Sequence, residues 1–93
     1  MAELLDDDEI AAGLPDGWTH EGEEVVRTYE FEDYLTGVAF AQAVGEIAET
    51  EWHHPTIEIR YGEVAVRFTS HEEGGVTDQD LEMAELVDGE YDG

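Results

Sequence analysis

The chain has 93 residues, of which 26 are acidic against three arginines and no lysine, giving a formal net charge of −23. A surface this negative repels phosphate backbones and anionic lipids, which argues against nucleic-acid and membrane partners. The absence of cysteine removes disulfides and thiolate zinc sites from consideration.

Asp6 followed by Glu9 is the pattern of a capping box ahead of Ile10 and Leu14, and it predicts a short helix from about Asp7 to Gly13. Leu14-Pro15-Asp16-Gly17-Trp18 ends that helix in a turn, with Trp18 covering one end of the core. A short strand around Trp18 to Glu21 can pair, through Gly22-Glu23, with a strand over Glu24 to Phe31. In the second strand Val25, Arg27, Tyr29 and Phe31 share one face, and Val26, Thr28 and Glu30 the other. His20, alone among polar residues, reads as an exposed loop or strand histidine.

Asp33 caps a long helix from about Tyr34 to Thr50. Its apolar stripe takes in Tyr34, Val38, Ala41, Val44, Ile47 and Ala48, with Gln42, Glu46 and Glu49 on the wet side. Phe40 falls away from the centre of the stripe, which suggests a second contact, for example with another subunit.

After Pro55 the period changes to two. Ile57, Ile59 and Tyr61 alternate with Glu58 and Arg60; Gly62-Glu63 makes a two-residue turn; Val64, Val66 and Phe68 alternate with Ala65 and Arg67. Pairing Tyr61 with Val64, Ile59 with Val66 and Ile57 with Phe68 puts the apolar set on one face and sets Glu58 against Arg67 on the other. The same register carries His54 opposite His71. Glu72-Glu73-Gly74-Gly75 is a loop, and Thr77 with Asp80 caps a last helix from about Asp78 to Val87. Leu81, Ala84 and Val87 face inward, Met83 and Leu86 lie at the flank, and residues 88–93 form a frayed acidic tail. The order α-β-β-α-β-β-α predicts one domain over residues 1–93. Its fold class is α+β, a four-stranded antiparallel sheet with three helices packed on one face.

A hydrophobic share of 41% with clear periodicity argues for a folded domain rather than a disordered acidic chain. So short a chain buries only roughly 60–65% of its unfolded surface, so self-association into a homodimer or homotetramer is expected. Missing lysine and abundant carboxylate read as a surface adapted to high cytoplasmic salt. Asp6-Asp7-Asp8 lacks the spaced ligands and glycine of a calcium loop. No signal-peptide pattern opens the chain, and no apolar run approaches the ~20 residues that span a bilayer, so a cytoplasmic location is expected.

The chemistry concentrates at Trp52-His53-His54-Pro55, where a helical pattern stops and a strand pattern begins. Imidazole exchanges protons near neutral pH, and Glu49 stands four residues before His53. The hairpin returns the chain so that His71 lies at the same end as His54, and Asp80 sits in the first turn of the next helix. Two or three imidazoles and two carboxylates can thus surround one cleft. Adjacent histidines with a distant third do not match a common zinc spacing, so no metal is expected. The plain alternative is that His53 and His54 cap a helix end, His71 is a turn residue, and Asp80 serves only the Thr77 cap.

The run Glu49-Thr-Glu-Trp-His53-His54-Pro55, then Tyr61, then His71-Glu-Glu-Gly-Gly-Val-Thr77, then Asp80, resembles the pterin-4a-carbinolamine dehydratase family. Leu14-Pro-Asp-Gly-Trp18 and Phe31-Glu-Asp-Tyr34 match it too, and the resemblance covers nearly the whole chain. The family position three after the second histidine is often tryptophan; here it is Ile57. The resemblance implies dehydration of a 4a-hydroxytetrahydropterin to the quinonoid dihydropterin, without metal or cofactor. It implies His53 and His54 as acid and base and His71 on the opposite side of the substrate. Glu49, Pro55 and Asp80 become substrate-binding positions, with Glu49 orienting a histidine and Asp80 holding the pterin or steering His71. Animal members also serve as a dimerisation cofactor of a transcription factor, so a protein-binding module stays open, as does another pterin-related role such as molybdenum-cofactor metabolism.

Overall fold

Asp6, Asp33 and Thr77 each open a helix, and the strands fall between them. In the computed structural model, which describes residues 3–91, α1 (Asp7–Gly13) is followed by β1 (Thr19–Glu21), β2 (Glu24–Glu30), α2 (Tyr34–Glu51), β3 (Thr56–Arg60), β4 (Glu63–Phe68) and α3 (Asp78–Asp88). The predicted order and fold class hold, and the boundaries of α1 match. The Asp6 carboxylate accepts from the Glu9 amide while the Asp6 amide donates to the Glu9 carboxylate, closing the expected box. Asp33 accepts from both the amide and the hydroxyl of Thr36, and these bonds hold its carboxyl below the usual carboxylate range.

The antiparallel sheet has the order β1-β2-β4-β3, so β2 and β4 are central. A central strand has a paired neighbour at each edge, and here the apolar residues are most deeply buried. Val25, Tyr29, Val64, Val66 and Phe68 are at most 1% exposed. Each such side chain contributes about 1.5–3 kcal/mol. α2 and α3 close over this face with Phe40, Ala41, Val44, Met83, Ala84 and Val87. A Cβ at Gly37 would stand 3.2 Å from Val64 Cγ2, so the missing side chain lets α2 approach β4 closely. On the other face Arg67 reaches the carboxylates of Glu58 and Glu24 at 3.0 and 3.3 Å.

Four expectations need correction. The β3–β4 register is shifted by two residues: Ile59 pairs with Val64, Ile57 with Val66 and Thr56 with Arg67. The turn is therefore Tyr61-Gly62, and Gly62 takes the positive φ of 81° that glycine tolerates. A two-residue shift leaves every side chain on its predicted face, which is why alternation does not detect it. Glu58 still meets Arg67, diagonally rather than directly. The register no longer sets His54 opposite His71.

Phe40 is core, 6% exposed, in contact with Tyr29, Phe31 and Tyr91, whereas Tyr34 is 47% exposed. The buried stripe of α2 runs through Gly37, Phe40, Ala41, Val44 and Ala48, rotated from the predicted one. Met83 is likewise core rather than flank. The end of α3 and the segment after it are anchored as far as they are described. Asp88 accepts from Trp18 Nε1, Arg27 and Tyr29, and Tyr91 packs on Phe31 and Phe40 while donating its hydroxyl to Glu30 O. Residues 92–93 of the expected tail lie outside the described residues. No helix among the described residues is long and apolar enough to cross a membrane.

Candidate active site

α2 ends in a left-handed corner. Trp52 takes φ 53° and ψ 49° and donates its amide to Ala48 O; the His53 amide bonds the same carbonyl at 3.1 Å. Helices commonly stop this way, although with glycine at the corner. The corner turns the chain off the helix axis, so two consecutive histidines leave it in different directions.

His53 turns inward. Its ring lies nearly parallel to that of Phe68, 12° off, and its Nε2 donates at 2.5 Å to the carboxylate of Asp80. Asp80 is wholly buried, and its second oxygen accepts from Ser70 Oγ at 2.8 Å and the Thr77 amide at 2.9 Å. The hydroxyls of Ser70 and Thr77 bond each other at 2.9 Å. A buried carboxylate needs such partners, since an unpaired one would be expensive to desolvate. Asp80 therefore both closes the α3 cap and grips an imidazole. The imidazole that Asp80 steers is His53, not the expected His71.

His54 turns outward. Its Nε2 meets the Glu49 carboxylate at 2.5 Å, and its ring stands edge-on to Trp52 at 4.9 Å. Both members of this pair are substantially exposed, unlike the His53–Asp80 pair. With Nε2 of each imidazole committed to a carboxylate, Nδ1 of each is left without a protein partner among the described residues. No fully buried side-chain nitrogen there lacks a hydrogen bond, so Nδ1 of the mostly buried His53 keeps some contact with solvent.

β4 ends at Phe68, and the chain folds into a tight loop in which the Ser70 amide bonds Gly75 O at 2.9 Å. This loop carries His71 to the rim. A hollow of about 390 Å³ is lined by Trp52, His53, His54, Thr69, Ser70, His71, Glu72, Glu73 and Gln79. All three histidines named from the sequence line it; Glu49 and Asp80 stand behind two of them, and Pro55 is not among the lining residues. His20 is distant in role, its Nε2 bonded to Gly22 O in the β1–β2 turn. Sequence reasoning did not single out Ser70, whose only signal was its place beside His71. No group of three or more metal-binding side chains is assembled among the described residues.

A network of this kind can hold one imidazole as proton acceptor and another as proton donor, facing the same space. The family model described as "Pterin 4 alpha carbinolamine dehydratase" matches residues 3–89. A relative from Halobacterium salinarum, named "Putative pterin-4-alpha-carbinolamine dehydratase", is 58% identical over 95% of this chain and 97% of its own. One of the same name from Haloarcula marismortui is 48% identical over 99% and 100%. Among solved structures, a transcriptional coactivator/pterin dehydratase from Brucella melitensis superposes with a TM-score of 0.85 at 31% identity, covering 92% of this chain and 96% of that one. A pterin dehydratase-like RuBisCO assembly factor of the alpha-carboxysome shares the fold at 21% identity, with a TM-score of 0.67 over 80% of this chain and 88% of that one.

Proposed function

This chain belongs to the pterin-4a-carbinolamine dehydratase family, and from that premise we propose that it dehydrates a 4a-hydroxytetrahydropterin to the quinonoid dihydropterin. The observation that carries the reading is the left-handed corner at Trp52. It parts His53 from His54, ties each to a separate carboxylate, and leaves both on one hollow with His71.

The reaction breaks the bond between the ring carbon and its hydroxyl. A proton goes to the departing oxygen, a proton leaves the adjacent ring nitrogen, and the electrons of that N–H bond form the new C=N bond as water departs. An imidazole whose Nε2–H is held by a carboxylate accepts a proton at Nδ1 when neutral and donates one from Nδ1 when charged. His53 and His54 are the acid and base, each contributing roughly 10²–10⁴-fold. His71 binds or polarises the far side of the substrate. Glu49 and Asp80 are positioning residues, holding His54 and His53 in the required tautomer and orientation. Neither needs to touch the pterin.

The test is direct: purified protein in concentrated potassium chloride, supplied with 4a-hydroxytetrahydropterin, should accelerate loss of water over buffer, and His54→Ala should abolish most of that acceleration. A rate equal to buffer for the parent protein refutes the reading.

A second reading, as a protein-binding module in a homo-oligomer, is favoured by a groove of about 520 Å³ remote from the histidines. Phe31, Ala39, Phe40, Ala43 and Tyr91 give it an apolar floor. The coactivator description of the Brucella melitensis relative points the same way. Sedimentation would show whether copies of this chain associate.

A further inference from the structure

Trp52 occupies a conformation that its side chain does not favour. Among the described residues it is the one non-glycine position with a positive φ, and indole offers none of the local hydrogen bonds that let Asn or Asp sit there. Core packing does not compensate, because Trp52 is 74% exposed. The contrast with Trp18 is sharp: that ring is 6% exposed and its Nε1 donates to Asp88. A strained, solvent-facing indole on a strongly acidic chain needs a reason outside the folded chain itself.

Its surroundings supply one. Trp52 lines the histidine hollow and stands perpendicular to the His54 ring, with 85° between the planes. The other lining groups are imidazoles, hydroxyls, carboxylates and an amide, all suited to the polar edge of a ligand. Trp52 alone among them offers a large apolar plate. A flat fused heterocycle requires both: hydrogen-bonding groups around its rim and a hydrocarbon surface against its face.

We propose that Trp52 is a substrate-contact residue whose indole forms the apolar wall against which the fused ring lies while the histidines engage its edge. The proposal rests on the pterin reading above and names the residue that selects for a flat ring.

The test uses Trp52→Asn and Trp52→Phe in the full chain. Asn tolerates the left-handed corner, so W52N should be at least as stable to denaturant as the parent. Calorimetry should show an oxidised pterin binding about tenfold more weakly to W52N, with W52F close to the parent. KM for the 4a-hydroxypterin should rise more than kcat falls. Indole fluorescence, corrected for pterin absorption, should be quenched in the parent and not in W52F, where only buried Trp18 remains. Equal pterin affinity in W52N and the parent, or a marked loss of stability in W52N, overturns the proposal and leaves the dehydratase reading standing. A parent that neither binds nor dehydrates pterins removes both.

Discussion

His53 and Asp80, 27 positions apart, are joined by a 2.5 Å hydrogen bond that ties the end of α2 to the first turn of α3. The carboxylate is wholly buried and has two further donors on its second oxygen, so its orientation is set before any ligand arrives. Asp80→Asn should be revealing. To keep the bonds from Ser70 and Thr77, the amide must turn its oxygen to them and its NH₂ to His53. The imidazole then has to present a lone pair at Nε2 and carry its proton on Nδ1. Turnover should fall roughly 10²–10³-fold, while stability changes by no more than about 1 kcal/mol. Steady-state kinetics beside urea denaturation would separate the two effects.

The outer pair should behave differently. His54 and Glu49 are both exposed, so removing either should leave stability within about 0.5 kcal/mol of the parent. His54→Ala should lower kcat roughly 10²–10⁴-fold. Glu49→Gln, which keeps a hydrogen-bond acceptor but loses the charge, should cost about 10–100-fold. A ranking in which Glu49→Gln is the more damaging of the two would show that the glutamate itself handles the proton.

Asp88 is a stability residue away from the histidines. One of its oxygens accepts from Trp18, Arg27 and Tyr29, with the Tyr29 hydroxyl at 2.5 Å. Asp88→Ala leaves the buried phenol without an acceptor, which should destabilise the fold by about 1–3 kcal/mol without changing kcat of the folded fraction. Adding Tyr29→Phe should recover part of that loss, since it removes the orphaned hydroxyl. Denaturant titration of the two single variants and the double variant would measure the coupling.

The same tyrosine sets an alkaline limit. Burial first, and the Asp88 carboxylate second, push the Tyr29 phenol above its ordinary value of 10.0. The unfolded chain therefore releases this proton at lower pH than the folded one. Stability is fully present below pH 10.0 and falls as pH rises beyond it, because deprotonation favours the unfolded state. Thermal unfolding followed from pH 8 to 11 should show Tm dropping only on the alkaline side of about 10, and the drop should shrink in Tyr29→Phe.

Helix starts, strand faces and the break at Trp52-His53-His54-Pro55 were legible in the residues because each is a local matter. A cap needs an acceptor within three positions, and alternation or a 3.6-residue period marks which side is apolar. The candidate histidines were legible for the same reason: adjacent imidazoles at a helix-to-strand junction are a short-range feature. Their tertiary partners were not. Alternation repeats every two residues, so it is blind to the two-residue shift that moved Ile57 from Phe68 to Val66; that choice was made at the turn, where Gly62 accepts φ 81°. The rotation of α2 about its axis buries Phe40 and leaves Tyr34 exposed, and on the inward side Gly37, lacking a side chain, sits close against Val64. Asp80 meeting His53, and Asp88 gathering Trp18, Arg27 and Tyr29, required the order β1-β2-β4-β3 and the seating of α3 on it. Local pattern speaks of a residue's nearest turns; which distant side chain it touches depends on a whole-molecule packing that no short window contains.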